Sequence, residues 1–430
     1  MSATTLDTPS TLSDDTSVDL AVDRPVDRGA AYVGRRFAGL VLVLGSLAML
    51  GPLTIDTYLP AFPQLAADFH ASDAQVQLTL TAMLFGLGVG QLLVGPLSDA
   101  VGRRRPLMTG LVLHALASLL CALAPTIATL TAARLVQGLA GAAVAVVAAA
   151  IVRDLFTGTR MATVMSRLVL VMGLAPIIAP TIGSAVLQVT SWHGVFVVVS
   201  VAAIVLLGVA ARWVPETLEP ARRLRFELRT PVVAYAALLR DRSYLALVGI
   251  AGMAFATLFA YVGGSSFVLQ DVFHLDTAQF GLVFGINSAA LTVFSQINPT
   301  LVRRYGPVAV LRVATVTMLL GAITLLALAH LGIGGVVGFV APVTLTLMSV
   351  GLVLPNCSVV ALAPHGDTAG TAAAMIGALQ FAVAAAATPV VGALADGTAR
   401  PVGYVMVAAS LVAVTLMTLV GRRLRGIAFG

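Results

Sequence analysis

Lysine is absent from all 430 positions, so each of the 25 basic residues is an arginine. Charge of any kind is scarce: 10% of residues are charged, 59% are hydrophobic, and mean hydropathy is +0.99. A water-soluble chain of this length needs far more charge to hydrate its surface. The composition calls for lipid as solvent. Cysteine occurs only as Cys121 and Cys357, both in apolar runs and far apart, which leaves no disulfide framework. With six scattered histidines and no Cys-x-x-Cys spacing, neither a metal centre nor any other cofactor is expected. The same scarcity of His, Cys and clustered acids speaks against a membrane-bound enzyme, and no stretch is long enough for a receptor's soluble output domain. A basic leader is missing too. The first 30 residues are acidic and rich in Ser, Thr and Asp, and read as a disordered tail over 1–36 instead of a cleaved signal.

What is present is a series of long uncharged runs. Crossing a hydrocarbon core of about 30 Å takes about 20 apolar residues at 1.5 Å each. Between Phe37 and Ala67 the sole charge is Asp56; Ala74–Ser98 has none, and Pro106–Val152 is interrupted only by Arg134. Leu168–Ala211 runs 44 residues without Asp, Glu, Lys or Arg, and Val313–Gly366 runs 54; both are too long for one crossing. They divide at Thr190–Gly194 and at Gly332–Gly335, and Pro106–Val152 divides near Pro125. With Ser243–Gln270, Thr277–Val302, Thr368–Ala395 and Pro401–Gly421, the count is twelve spans: an all-α integral membrane protein.

Arginine sets the expected orientation. Both termini of a twelve-span chain share one side, and 23 of the 25 arginines fall in the tails and loops of that side. Arg400 is outside it and Arg134 is within a span. The net charge of +6 therefore reads as a topology signal with cytoplasmic termini, not as a nucleic-acid surface.

The longest connection, 214–243, is Pro-punctuated and Arg-rich, and divides the spans into six-helix bundles at 37–213 and 244–425. It suits either short amphipathic helices on the inner leaflet or a solvated linker. An internal repeat supports the division. Phe69-His70-Ala71-Ser72-Asp73-Ala74-Gln75 and Phe273-His274-Leu275-Asp276-Thr277-Ala278-Gln279 share Phe, His, Ala and Gln at an offset of 204, and Pro96 and Pro299 correspond at 203.

The run Gly95-Pro96-Leu97-Ser98-Asp99-Ala100-Val101-Gly102-Arg103-Arg104-Arg105-Pro106 is the strongest local signal. Gly95 and Gly102 permit close packing and a tight turn, and Asp99 can face a helix N-terminus or pair with Arg103 one turn on. It resembles the signature between the second and third spans of the major facilitator superfamily, although Ala100 stands where that family often has Arg. Arg134-Leu135-Val136-Gln137-Gly138 resembles the fourth-span motif of its drug exporters. Gly173 to Ser184, with Pro176, Pro180 and Gly183, resembles their fifth-span antiporter motif; Ala179 and Ser184 replace two frequent glycines. Ile55-Asp56-Thr57-Tyr58-Leu59-Pro60-Ala61-Phe62-Pro63 and Ile151-Val152-Arg153-Asp154-Leu155-Phe156 look like the bicyclomycin/chloramphenicol (Bcr/CflA) branch. The resemblance implies a twelve-helix drug:proton antiporter of a bacterial cytoplasmic membrane, whose partners are small molecules, protons and lipid, with no oligomer required. A physiological metabolite transporter of the same fold is the alternative.

Independently of that resemblance, Asp56 and Arg134 are ionisable groups inside apolar spans, where such groups are costly enough to suggest function. If the first span ends near Leu65 and the fourth begins near Ala128, they lie about 13 Å and about 9 Å below the same face. Burial favours a neutral carboxyl and a nearby guanidinium favours a charged one, so relative movement would load and release a proton. Position 260, the repeat mate of Asp56, is Ala260. His114 is a second candidate proton carrier. A substrate pocket is expected from Tyr58, Phe255, Phe259, Tyr261, Asn287 and Gln380.

Overall fold

A computed structural model describes residues 34–223, 229–365 and 369–424. The expected tail lies outside the described residues through position 33, as do Arg24, Arg28, Arg225 and Arg425. The helices are α1 (Gly34–Asp56), α2 (Phe62–Asp68), α3 (Asp73–Val101), α4 (Arg104–Ala122), α5 (Ile127–Leu155), α6 (Gly158–Val189) and α7 (Trp192–Trp213). After α8 (Arg229–Leu238) come α9 (Arg242–Phe267), α10 (Thr277–Tyr305), α11 (Pro307–Leu331), α12 (Gly335–Leu362), α13 (Ala369–Ala393) and α14 (Arg400–Leu424). Among the described residues, twelve helices are long and apolar enough to cross a membrane, with α1 and α2 together making one crossing. The connection between the halves holds α8 and a short 3₁₀ turn at Pro220–Arg222.

The first crossing differs from the continuous helix expected through Leu65. It breaks after Asp56, passes through a 3₁₀ turn at Leu59–Ala61, and resumes as α2. Pro60 explains the break: its ring would collide with the carbonyl of residue 56 in an unbroken helix, and it has no N–H to donate.

The repeat is carried by geometry more than by identity. Helices α3 and α10 both have 29 residues and coincide end to end at the offset of 204. Each begins with a capping box, Ser72 with Gln75 and Asp276 with Gln279, satisfying N–H groups that the helix itself leaves free. Just before each box a histidine takes left-handed backbone, His70 at φ 48° and His274 at φ 55°. Each helix ends on a glycine of positive φ, Gly102 and Gly306. Pro299 falls one residue short of this register, so its match to Pro96 is approximate.

Packing repeats as well. Pairs α3–α5, α4–α5, α4–α7, α1–α6 and α1–α7 in the first half recur as α10–α12, α11–α12, α11–α14, α9–α13 and α9–α14 in the second, giving two six-helix bundles. The bundles meet along α3–α13 and α6–α10. Small residues let those helices approach: a Cβ on Gly88 would stand 3.1 Å from the Ala378 carbonyl, and one on Gly173 would stand 2.8 Å from the Thr292 methyl.

Hydrogen bonds across the seam occupy the face opposite the arginine-rich ends and reach to mid-helix. Ser266 Oγ donates to the Leu59 carbonyl (2.7 Å), and Gln270 Nε2 to that of Pro60 (3.2 Å). Gln77 Nε2 donates to the Gly263 carbonyl (3.1 Å), while its Oε1 accepts from Gly392 N (2.9 Å). Ser184 Oγ donates to Thr277 O (2.6 Å) and Thr292 Oγ1 to Gly173 O (3.0 Å). The arrangement is closed on that face.

Candidate functional site

Two polar clusters stand out in the first half. One is at the arginine-rich end, where the chain turns from α3 into α4. Gly102, at φ +97°, makes the turn, and a Cβ there would strike the Glu216 carboxylate. Arg103 is buried in this turn. Its Nη1 donates to Asp99 Oδ1 (2.5 Å) and Ser98 Oγ (2.8 Å), and its Nε to Asp154 Oδ2 (2.8 Å) at the end of α5. Thr217 Oγ1 donates to the same Asp154 oxygen (3.0 Å). Glu216 accepts from the backbone N–H groups of Arg103 (2.8 Å), Arg104 (3.3 Å) and Leu218 (3.0 Å). Burial pushes the Glu216 carboxyl up, but those N–H donors and nearby Arg223 outweigh it and hold it below the ordinary value. Arg104 adds a guanidinium bond to the Ala211 carbonyl (2.7 Å). The cluster thus ties α3, α4, α5 and the segment after α7 into one body. Gly95 departs from expectation: nothing lies within 4 Å of where its Cβ would stand, so close packing is not its role in this arrangement.

The second cluster lies deep in the bundle. Arg134 is fully buried, its guanidinium carbon 4.0 Å from the Tyr58 ring centroid and 5.6 Å from that of Phe196. A cation over an aromatic face is stabilised by the ring quadrupole, the more so when desolvated. Nη1 donates to Gln137 Oε1 (2.7 Å) and more weakly to the Thr54 carbonyl (3.4 Å); among the described residues, Nε and Nη2 have no hydrogen-bond partner. Gln137 in turn donates to Ser118 Oγ (2.7 Å). His114 bridges the helices, with Nδ1 3.2 Å from the Gln137 carbonyl and Nε2 3.1 Å from Thr54 Oγ1.

Asp56 closes α1 at the break, 5% exposed, within electrostatic range of Tyr261 across the seam. The structure does not pair it with Arg134: no salt bridge joins them, and the guanidinium rests on Tyr58 instead. The antiporter-motif segment reaches the same place. Pro176 and Pro180 lie within α6, and Gly183 packs on the break so closely that a Cβ would overlap the Thr57 carbonyl oxygen. Ser184, which replaces a frequent glycine, makes one of the seam bonds described above.

The expected pocket residues are mostly packed shut. Tyr58 lies under Arg134, with its hydroxyl 3.2 Å from Thr79 Oγ1. Tyr261 stacks on Phe284 at 5.2 Å and accepts from Asn287 Nδ2 (2.9 Å), whose Oδ1 accepts from Thr344 (2.5 Å). Phe255 packs on Phe259 and Phe381 at 5.0 and 5.2 Å. Gln380 is half-buried on α13, without a hydrogen bond among the described residues.

Residues 43–388 match the family model described as Major Facilitator Superfamily. The chain belongs to that family. It is 38% identical over 379 residues to the uncharacterized MFS-type transporter YdgK of Bacillus subtilis, covering 87% of this chain and 93% of that one. It is 32% identical over 380 residues to a bicyclomycin resistance protein homolog of Haemophilus influenzae (87% and 94% covered). With the multidrug resistance protein MdtL of Salmonella typhi, identity is 27% over 342 residues (78% and 83% covered).

These findings bear out the major facilitator fold, the resemblance to the bicyclomycin branch and the membrane-transporter reading. Within that fold, Asp154, Glu216, Gln137 and Gln77 are structural partners that sequence reading missed. Asp154 stood in a recognised motif, but nothing local tied it to Arg103, 51 residues away. Gln137 likewise stood in a quoted motif, and the signal available for Gln77 was an amide inside an apolar run.

Proposed function

We propose that this major facilitator exports small, largely apolar compounds, antibiotics among them, in exchange for protons, and does so by alternating access. Its setting is a bacterial cytoplasmic membrane with both termini in the cytoplasm. The arginine partition supports that orientation, and the names of the bicyclomycin- and multidrug-resistance relatives support the substrate class.

The observation that carries the reading is Asp56, a buried carboxyl with no counter-ion among the described residues, placed at a helix break beside the seam. A lone buried carboxylate is costly, so with Arg134 parked on Tyr58 the carboxyl is held neutral. Rotation of α1 or α5 that brings the guanidinium toward Asp56 favours release of the proton. Gly183 against Thr57 makes α6 the element through which seam movement reaches the break. Asp56 carries the coupling proton and Arg134 tunes it. One proton moving down 100 mV supplies about 2.3 kcal/mol, and each pH unit adds about 1.4 kcal/mol. That drive concentrates a neutral compound appreciably.

The test is substrate-induced proton release from the detergent-solubilised protein. Wild type releases protons on adding substrate; Asp56→Asn does not, while keeping substrate binding and counterflow down a gradient. Undiminished release from the mutant removes Asp56 as carrier and points to His114 or Asp99.

A further inference from the structure

A groove of about 290 Å³ runs along the seam between α3 and α13, toward the arginine-rich ends. Phe85, Val89 and Leu92 form one wall and Met375 and Ala382 the other; Leu239, just past α8, closes one end. It opens outward, since Phe85 and Leu239 are 53% and 51% exposed. A groove open to the side between two membrane spans faces lipid, not water. Its volume falls just below the roughly 300–1,000 Å³ of drug-sized ligand sites. Beside its mouth, Arg240 directly follows Leu239, and Arg242 begins α9. Both are exposed, and neither side chain has a protein partner among the described residues.

We infer that this groove binds one acyl chain of an anionic phospholipid from the leaflet at the arginine-rich face, with its headgroup held by Arg240 and Arg242. The apolar slot accounts for the chain and the two unpartnered guanidinium groups for the negative headgroup; basic residues beside a span attract anionic lipid in just this way. The site is built jointly by α3 from one half, α13 from the other and the linker. A lipid seated there therefore binds one arrangement of the halves better than another and biases the equilibrium between them.

The test uses the full-length protein in nanodiscs with two photoactivatable probes carrying the same diazirine acyl chain, one a phosphatidylglycerol and one a phosphatidylcholine. Labelled peptides are mapped by mass spectrometry. In wild type, the anionic probe labels α3 and α13 groove peptides at least fivefold more than the zwitterionic one, a comparison that needs no variant. Arg240→Gln/Arg242→Gln erases that preference, and Ala382→Trp, which fills the slot, lowers labelling by both probes. Equal labelling of the wild-type groove by the two probes overturns the proposal. So does displacement of the probe by a transported compound with no dependence on Arg240 or Arg242, which makes the groove a substrate entrance instead.

Discussion

In the first half, α5 crosses α3 at Gly138, where a Cβ would overlap the Met83 carbonyl; in the second, α12 crosses α10 at Gly351, where a Cβ would overlap that of Leu291. The two crossings are the same device, displaced by one helical turn: the register mate of Met83 is position 287, four residues before Leu291. Around them the polar contents diverge. Beneath the first lies the Arg134–Gln137–His114 cluster and, on the neighbouring helix, Asp56. Beneath the second lies the neutral chain Thr344–Asn287–Tyr261, and the mate of Asp56 is Ala260. The turns at the arginine-rich ends diverge likewise: Arg103 is gripped by Asp99 and Asp154, while its register mate is Pro307. A duplicated frame tolerates opposite fillings, because helix approach is set by glycines and caps, and chemistry by a handful of other positions.

The largest effect should come from attacking the frame. Gly138→Leu and Gly351→Leu should each cost more than about 3 kcal/mol, above the usual overpacking range because the obstacle is backbone and cannot rotate aside. Thermal unfolding in detergent should place both variants far below wild type; a well-folded Gly351→Leu beside a collapsed Gly138→Leu would break the equivalence of the halves.

Next come the fillings. Arg134→Leu should move pH-driven transport toward higher pH, whereas Asn287→Leu should cost about 1–3 kcal/mol of stability, through the hydroxyls it orphans, yet keep the pH dependence. Transport into proteoliposomes under an imposed pH gradient separates the two, and loss of coupling in Asn287→Leu would mean that the second half shares the task.

Smaller again, Asp99→Asn should slow turnover with substrate affinity nearly unchanged, since Asp99 acts on the turn and lies far from Asp56. Much weaker binding at normal turnover would show that assignment to be wrong. The smallest effect belongs to Glu216→Gln, a partly exposed group contributing less than about 1 kcal/mol. Because the Glu216 pKa is depressed in the folded protein, its contribution is full above the ordinary value of 4.5 and lost as pH falls through the lower folded value. Melting temperatures of wild type and Glu216→Gln should differ at pH 7 and converge in acid.

The sequence disclosed the spans because charge in lipid is so unfavourable that its absence marks each helix, and Asp56 and Arg134 stood out for the same reason. The repeat was visible at His70 and His274 because left-handed backbone before a capping box constrains residue type. What stayed hidden is long-range pairing. Nothing near Glu216 points to the N–H of Arg103, 113 residues earlier, and nothing near Tyr58 says that its ring supports a guanidinium and not a substrate. The break after Asp56 was legible in Pro60 and Pro63, but apolar continuity through Leu65 outweighed them.

The closed face has one property that bears on speed. Its fastenings between the halves are largely amide and hydroxyl side chains reaching for backbone carbonyls, two of them at Leu59 and Pro60 beside the break. Water competes for such carbonyls on nearly equal terms, so each bond contributes only about 0.5–1.5 kcal/mol net. For the alternating access proposed above, a seam fastened this way would behave as a zipper whose teeth water can replace, opening tooth by tooth as solvent enters, without a single tall barrier. It also depends little on which side chains surround those carbonyls, since a backbone oxygen is present whatever residue carries it.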